Sequence, residues 1–170
     1  MSHAYNKVKW CLNKAKKEIE ESENLGKRPK HRGLVKSAPD TEEARRHIEK
    51  AEHNLKVLLF NREKGFDDWV INIGFYVIYQ CFLAIIAKAG YESGNQTCTI
   101  ALIEWLREEG KISLDQKYVD MFKDKEDSVI QMREDYTYGA KVSVRDKSLI
   151  EDMTRDCREI IDMAKGIVFR

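Results

Sequence analysis

Apolar residues along this chain recur at three- and four-residue steps, the period that lays a single stripe along a helix. Tyr5, Val8, Leu12, Ala15 and Ile19 draw the first stripe and predict a helix over 3–24, ended by Gly26. Ala44, Ile48, Ala51, Leu55 and Leu58 draw a second over about 41–64, opened by Pro39, Asp40 and Thr41. Residues 65–68 turn the chain, and from 69 to 87 nearly every position is apolar, with Asn72 and Gln80 among the exceptions. That stretch is long enough to cross a bilayer. A helix apolar nearly all round is also what the middle of a bundle needs, and its neighbours are ordinary amphipathic helices. We therefore read it as a buried central helix and expect no membrane partner.

A polar stretch, 91–97, leads into a fourth helix carrying Leu102, Trp105 and Leu106 and stopped by Gly110. Ser113 with Gln116 has the form of a capping box. It opens a predicted fifth helix with Tyr118, Phe122, Val129 and Met132, ending near Tyr136. Beyond a break at Tyr138 and Gly139, a last stripe runs through Leu149, Met153, Cys157, Ile160, Ala164 and Ile167. No stretch alternates cleanly enough to predict a sheet, so the fold class is all-α.

Composition changes this picture little. Two prolines and nine glycines in 170 residues leave room for long helices, and a mean hydropathy of -0.57 implies a well solvated surface. Lys and Arg total 30 against 29 Asp and Glu, so no global field draws in nucleic acid or membrane, and any electrostatic binding must be local. The concentrated positive patch is the linker 27–39, with Lys27, Arg28, Lys30, Arg32 and Lys36 beside His31. It is either solvated or a contact for RNA or an acidic protein, and contact would show as steep salt dependence. Cys11, Cys81, Cys98 and Cys157 are far apart, and three sit in apolar helical stretches. They are expected to be reduced, mostly buried thiols of a cytoplasmic protein. Scattered Cys and four His lack the close ligand pairs of a zinc site, so neither metal nor cofactor is expected. The first ten residues lack the apolar core of a signal peptide.

Three stretches in order give the chain a likeness to a known family. The helix ending at Phe60 is followed by Asp68-Trp69 and the run Gly74-Phe75-Tyr76-Val77-Ile78-Tyr79. Gly90-Tyr91-Glu92-Ser93 precedes Asn95-Gln96 and a new helix, and Arg133-Glu134-Asp135-Tyr136-Thr137-Tyr138 lies near the end of the fifth. Together they resemble the HEPN domain family, particularly archaeal and bacterial members with an Arg-x-Asp-Tyr motif. The resemblance implies an all-α HEPN-like bundle of about five to six helices over residues 40–170. Residues 1–39 are an additional N-terminal helix and basic linker.

That family includes metal-independent RNases, often toxins paired with a nucleotidyltransferase-like antitoxin, and non-catalytic binders of RNA or nucleotides. Its active members form homodimers in which an Arg and a His, separated by about four to six residues, meet their copies across a cleft. The His moves the 2′-OH proton while the Arg stabilises charge on phosphorus. Here Tyr138, Gly139 and Ala140 stand where the His belongs, and a phenol of pKa about 10 is a poor base at neutral pH. Arg46 and His53 fit the spacing but lie on the second helix. The resemblance therefore implies a dimer binding RNA or a nucleotide at a cleft around Arg133, Tyr136 and Tyr138, with little or no RNase activity. One alternative is a metal-independent endoribonuclease or toxin using Arg133 and Tyr138. The other is a non-catalytic module partnering a nucleotidyltransferase-like protein.

Each candidate has a plainer role beside the functional one. Arg133 and Asp135 either bind an anion or form an ion pair that locks a helix end. Tyr76 and Tyr79, on consecutive turns of the central helix, either pack the core or put a hydroxyl into the cleft. Gln80 and Gln96 occupy places where many relatives carry His. Asn95 and Gln96 either start a helix or touch a ligand.

Overall fold

The computed structural model describes residues 2–123, 129–144 and 146–170, and of Val129 only the backbone. It is an all-α bundle with an additional N-terminal helix, as expected. The helices are α1 (His3–Asn24), α2 (Thr41–Glu63), α3 (Asp67–Lys88), α4 (Gln96–Glu108), α5 (Gln116–Asp120), α6 (Val129–Tyr138) and α7 (Lys147–Val168). Short polar side chains set most of their starts. Ser2 accepts from the Tyr5 amide at 3.1 Å, Asp40 from Glu43 at 2.8 Å, Asn95 from Cys98 at 2.8 Å and Asp146 from Ser148 at 2.9 Å. Each such cap satisfies an amide that the helix itself leaves unpaired. α3 has no side-chain cap, and Asp67 and Asp68 in its first turn favour the positive end of its dipole instead.

The spine of the molecule is α3. It packs on α2, α4, α6 and α7, and Val70, Ile71, Phe75, Ile78, Phe82 and Ile85 are fully buried along it. By length and composition it is the one helix among the described residues that could cross a membrane, yet most of its apolar window lies inside the bundle. Gly74 lets α7 approach closely: a Cβ there would collide with the Met153 side chain. α5 is tied to α7 by Lys117, whose ammonium lies 2.8 Å from Asp156 and 2.6 Å from Glu159. Burial alone would lower Lys117, but the hydrogen bonds to these two carboxylates raise it overall.

Several expectations are corrected. Two three-residue strands, β1 (Leu34–Lys36) and β2 (Tyr91–Ser93), pair antiparallel, with Leu34 opposite Ser93 and Lys36 opposite Tyr91. Strands this short offer no periodicity to read. The single fifth helix is two helices, because no apolar residue continues the stripe between Phe122 and Val129; residues 124–128 and the side chain of Val129 lie outside the described residues. The cap of α5 is Asp115, which accepts from the Lys117 amide at 2.9 Å, so Ser113 and Gln116 form no capping box. Gln116 reaches forward to Asp120 instead. Leu149 is partly exposed, and Ile150 takes the inward position on α7.

The largest correction concerns the cysteines. Cys11 of α1 and Cys98 of α4 form a disulfide across 87 positions of sequence, with Cα atoms 5.8 Å apart; Cys81 and Cys157 are free and buried, as expected. α1 therefore lies on its own bundle, against α4 and β1. The backbone at Gly33 presses on Cys11 and Ala15, and the Arg32 amide donates to Glu18 at 2.5 Å. The basic linker thus folds back along α1.

Candidate functional site

α6 crosses α3 antiparallel and is held by two contacts one turn apart. The guanidinium carbon of Arg133 lies 4.5 Å from the centroid of the Phe75 ring. Thr137 donates to the side-chain carbonyl of Asn72 at 2.6 Å, and the Asn72 amide donates to the Asp68 carbonyl at 3.2 Å. Asn72 is buried, so both bonds matter: an amide left unpaired there would carry its full desolvation cost. The Asn was visible in the sequence as a polar break in an apolar run, but its partner on α6 was not.

Phe75 is the hub of an aromatic cluster. Tyr79 stacks on it with centroids 6.1 Å apart, Tyr76 meets it edge-on at 5.2 Å, and Phe122 packs behind at 5.0 Å. Arg133 caps this cluster, and among the described residues it has no carboxylate partner. The expected alternative of an Arg133–Asp135 ion pair is not formed. Residues two apart on a helix diverge, and Asp135 instead accepts from Gln131 at 3.0 Å. A guanidinium held over an aromatic face keeps its fork of N–H donors free for a planar anion.

Tyr76 is 46% exposed beside this cluster, and Tyr79 is half-buried. The Tyr79 hydroxyl lies 3.2 Å from Thr99, which bonds Ser93 at 2.8 Å and the Asn95 carbonyl at 3.0 Å. Burial raises the Tyr79 phenol above its ordinary value, with the Thr99 bond opposing, so it stays protonated at neutral pH.

The remaining candidates scatter. Tyr136 is partly buried and borders a hollow of about 590 Å³ with Lys141, Val144 and Asp146. Tyr138, 83% exposed, shares another of about 470 Å³ with Asp135 and Glu134. Asn95 caps α4 and Gln96 opens it, the plainer of their two roles. Gln80 faces α2, where its carbonyl lies 2.7 Å from Nδ1 of His47, and Nε2 of His47 is 3.4 Å from Glu43. His47 and Glu43 edge a groove of about 580 Å³ with Asp40, Leu83 and Tyr91; no local pattern singles out His47. The chain therefore gathers Arg133, Tyr76 and Tyr79 around Phe75, while Asp135 and Tyr138 face elsewhere. Among the described residues, no cluster of three or more His, Cys, Asp or Glu could hold a metal.

A comparison with curated proteins returns no match. The model of a family described as the HEPN domain matches residues 44–167, most of the chain, with all of α3 and α6 and all of α7 but its last residue, and the chain belongs to that family.

Proposed function

We propose that this protein binds RNA or a nucleotide through the face around Arg133, as a homodimer and with little or no RNase activity. The observation that carries the reading is the placement of Arg133, fixed over Phe75 without a carboxylate partner among the described residues. Membership of the HEPN family supports a general role in RNA or nucleotide binding or a toxin-like role. Ring stacking by the exposed Tyr76 and phosphate pairing by Arg133 suit such a ligand. Exposed apolar residues on the α2–α3 hairpin, Val57, Phe60, Phe66 and Trp69, continue toward Tyr76 and would be covered in a dimer.

Catalysis by Arg133 and Tyr138 within one subunit is disfavoured by geometry. Tyr138 projects into solvent from the other side of α6, and a phenol is a weak base at neutral pH. The same exposed apolar residues also suit a nucleotidyltransferase-like protein partner, with the Arg133 face idle. Incubating wild type and Arg133→Ala with a mixed RNA in EDTA separates the three. Intact RNA, held by the wild type and held more weakly by the variant, supports the binding face. Cleavage lost in the variant makes the protein an RNase and overturns this proposal. Intact RNA retained by neither protein leaves the protein-interaction module.

A further inference from the structure

The first seventeen residues contain five lysines, Lys7, Lys9, Lys14, Lys16 and Lys17, and no carboxylate. The acidic residues of α1, Glu18, Glu20, Glu21 and Glu23, all come after them. This order opposes the helix dipole, which favours acids at the start and bases at the end; α1 has no acid in its first turn and no base in its last. Charges arranged against the stability of their own helix call for a reason outside it.

The helical period puts His3, Lys7, Trp10, Lys14 and Lys17 on one face, about a third of a turn round the helix from the buried Ala4, Val8, Cys11 and Ala15. Trp10 is 50% exposed in the middle of that face. The Lys7 and Lys14 ammonium groups stand over its ring, 4.4 and 5.2 Å from the centroid, so a base stacking there takes the place of one of these flexible side chains. Among the described residues Lys7, Lys14 and Lys17 have no carboxylate partner; the lysine of α1 that does is Lys16, with Glu20. The linker runs back along the neighbouring side of the helix, with Gly33 against Cys11 and Ala15 and Arg32 bonded to Glu18, and its Lys27, Arg28 and Lys30 are exposed.

We propose that the outer face of α1 binds single-stranded nucleic acid, with Trp10 as a stacking platform and Lys7, Lys14 and Lys17 as phosphate contacts. An exposed indole framed by unpaired ammonium groups is the combination that holds a strand: rings take the bases and charges track the backbone. Lys7 to Lys17 spans about 15 Å of helix axis, room for a few nucleotides. An acidic protein would use the charges and could set an occasional ring against the indole, whereas a single strand carries a stackable base beside every phosphate. The surface lies outside residues 44–167, the part that matches the family, and does not depend on Arg133.

The test uses the full chain and two labelled dodecamers, oligouridine RNA and oligothymidine DNA, read by fluorescence anisotropy at about 50 mM salt and upward. Trp10→Ala should weaken binding about 5- to 150-fold, as loss of one stacked base does, while Trp10→Phe keeps most of the affinity. Neutralising Lys7, Lys14 and Lys17 to Gln should flatten the salt slope by about two, near 0.7 per phosphate contact. Arg133→Ala should leave the Trp10-dependent part in place, which separates failure here from failure of the Arg133 reading. Equal affinity for both dodecamers assigns the surface to strands of either sugar, and preference for oligouridine assigns it to RNA; both support the proposal. It is overturned if wild type binds neither strand. It is also overturned if Trp10→Ala and the triple Gln variant bind like wild type, or if a perfect duplex or an oligoglutamate peptide competes as well as the single strand.

Discussion

Reduction of the Cys11–Cys98 bond gives a prediction whose size follows from where the two residues sit. They are 87 positions apart, and closing a loop of that length removes about 15 cal/mol/K from the unfolded chain, or about 4.6 kcal/mol at 25 °C. For a chain of this length each kcal/mol moves the unfolding midpoint by about 2–4 °C, so reduction should lower it by about 9–18 °C. The experiment is thermal unfolding by circular dichroism with and without a phosphine reductant, alongside thiol counting. Protein purified without reductant should show no reactive thiol when native, two when unfolded and four when unfolded and reduced. Native silence is expected because burial pushes the Cys81 and Cys157 thiols well up and hides both from reagent. Four thiols in unreduced unfolded protein, with one midpoint in both buffers, would refute the reasoning and return all four cysteines to the reduced state their spacing implied.

Other elements give smaller, local effects. Thr137→Val leaves the buried Asn72 carbonyl without its partner, which should cost about 1–3 kcal/mol in urea unfolding and speed amide exchange along α6; unchanged exchange there would mean the bond does not hold the helix. Gly74→Ala drives a methyl into Met153 and should cost about 1–3 kcal/mol, with Met153→Ala in the same chain recovering part of it. Hydrogen bonding from Lys117 lowers the Glu159 carboxyl below its ordinary 4.5. A depressed carboxyl stabilises the fold above the unfolded value, and that contribution is lost as pH falls through the folded one. The melting difference between wild type and Glu159→Gln should therefore shrink as pH drops below about 4.5, and a constant difference down to pH 2 would contradict the pairing.

What could be read from the sequence follows from the range of each interaction. Amphipathic helices announce themselves locally, so the stripes through Val8 and Ala15 on α1, Ala44 to Leu58 on α2 and Met153 to Ala164 on α7 mark the core from spacing alone. The caps at Asp40 and Asn95 were legible for the same reason. The ribbon of β1 and β2 was not, since three residues carry no period. Pairings across the fold leave no local mark either: the disulfide joins residues with unrelated surroundings, and His47 meets Gln80 only once α2 lies along α3. In the candidate site, Arg133, Tyr76 and Tyr79 were picked out as chemistry-bearing side chains, and the fold brings them to one ring. Tyr138 and Asp135 were grouped with Arg133 by proximity in sequence, but five and two residues along a helix turn a side chain away. Phe75, the ring that fixes Arg133, looked like one more apolar residue in an apolar run.

The pairing of β1 with β2 carries a consequence for shortened forms of this protein. β2 belongs to the stretch matched by the family and β1 does not. A chain begun at residue 40 would therefore keep Tyr91–Ser93 but lose the strand that covers it. An uncovered strand presents a row of unpaired amides and carbonyls to any other chain. Such a truncated domain is expected to self-associate through that edge. The N-terminal segment would then serve as a guard against aggregation, whatever else it binds.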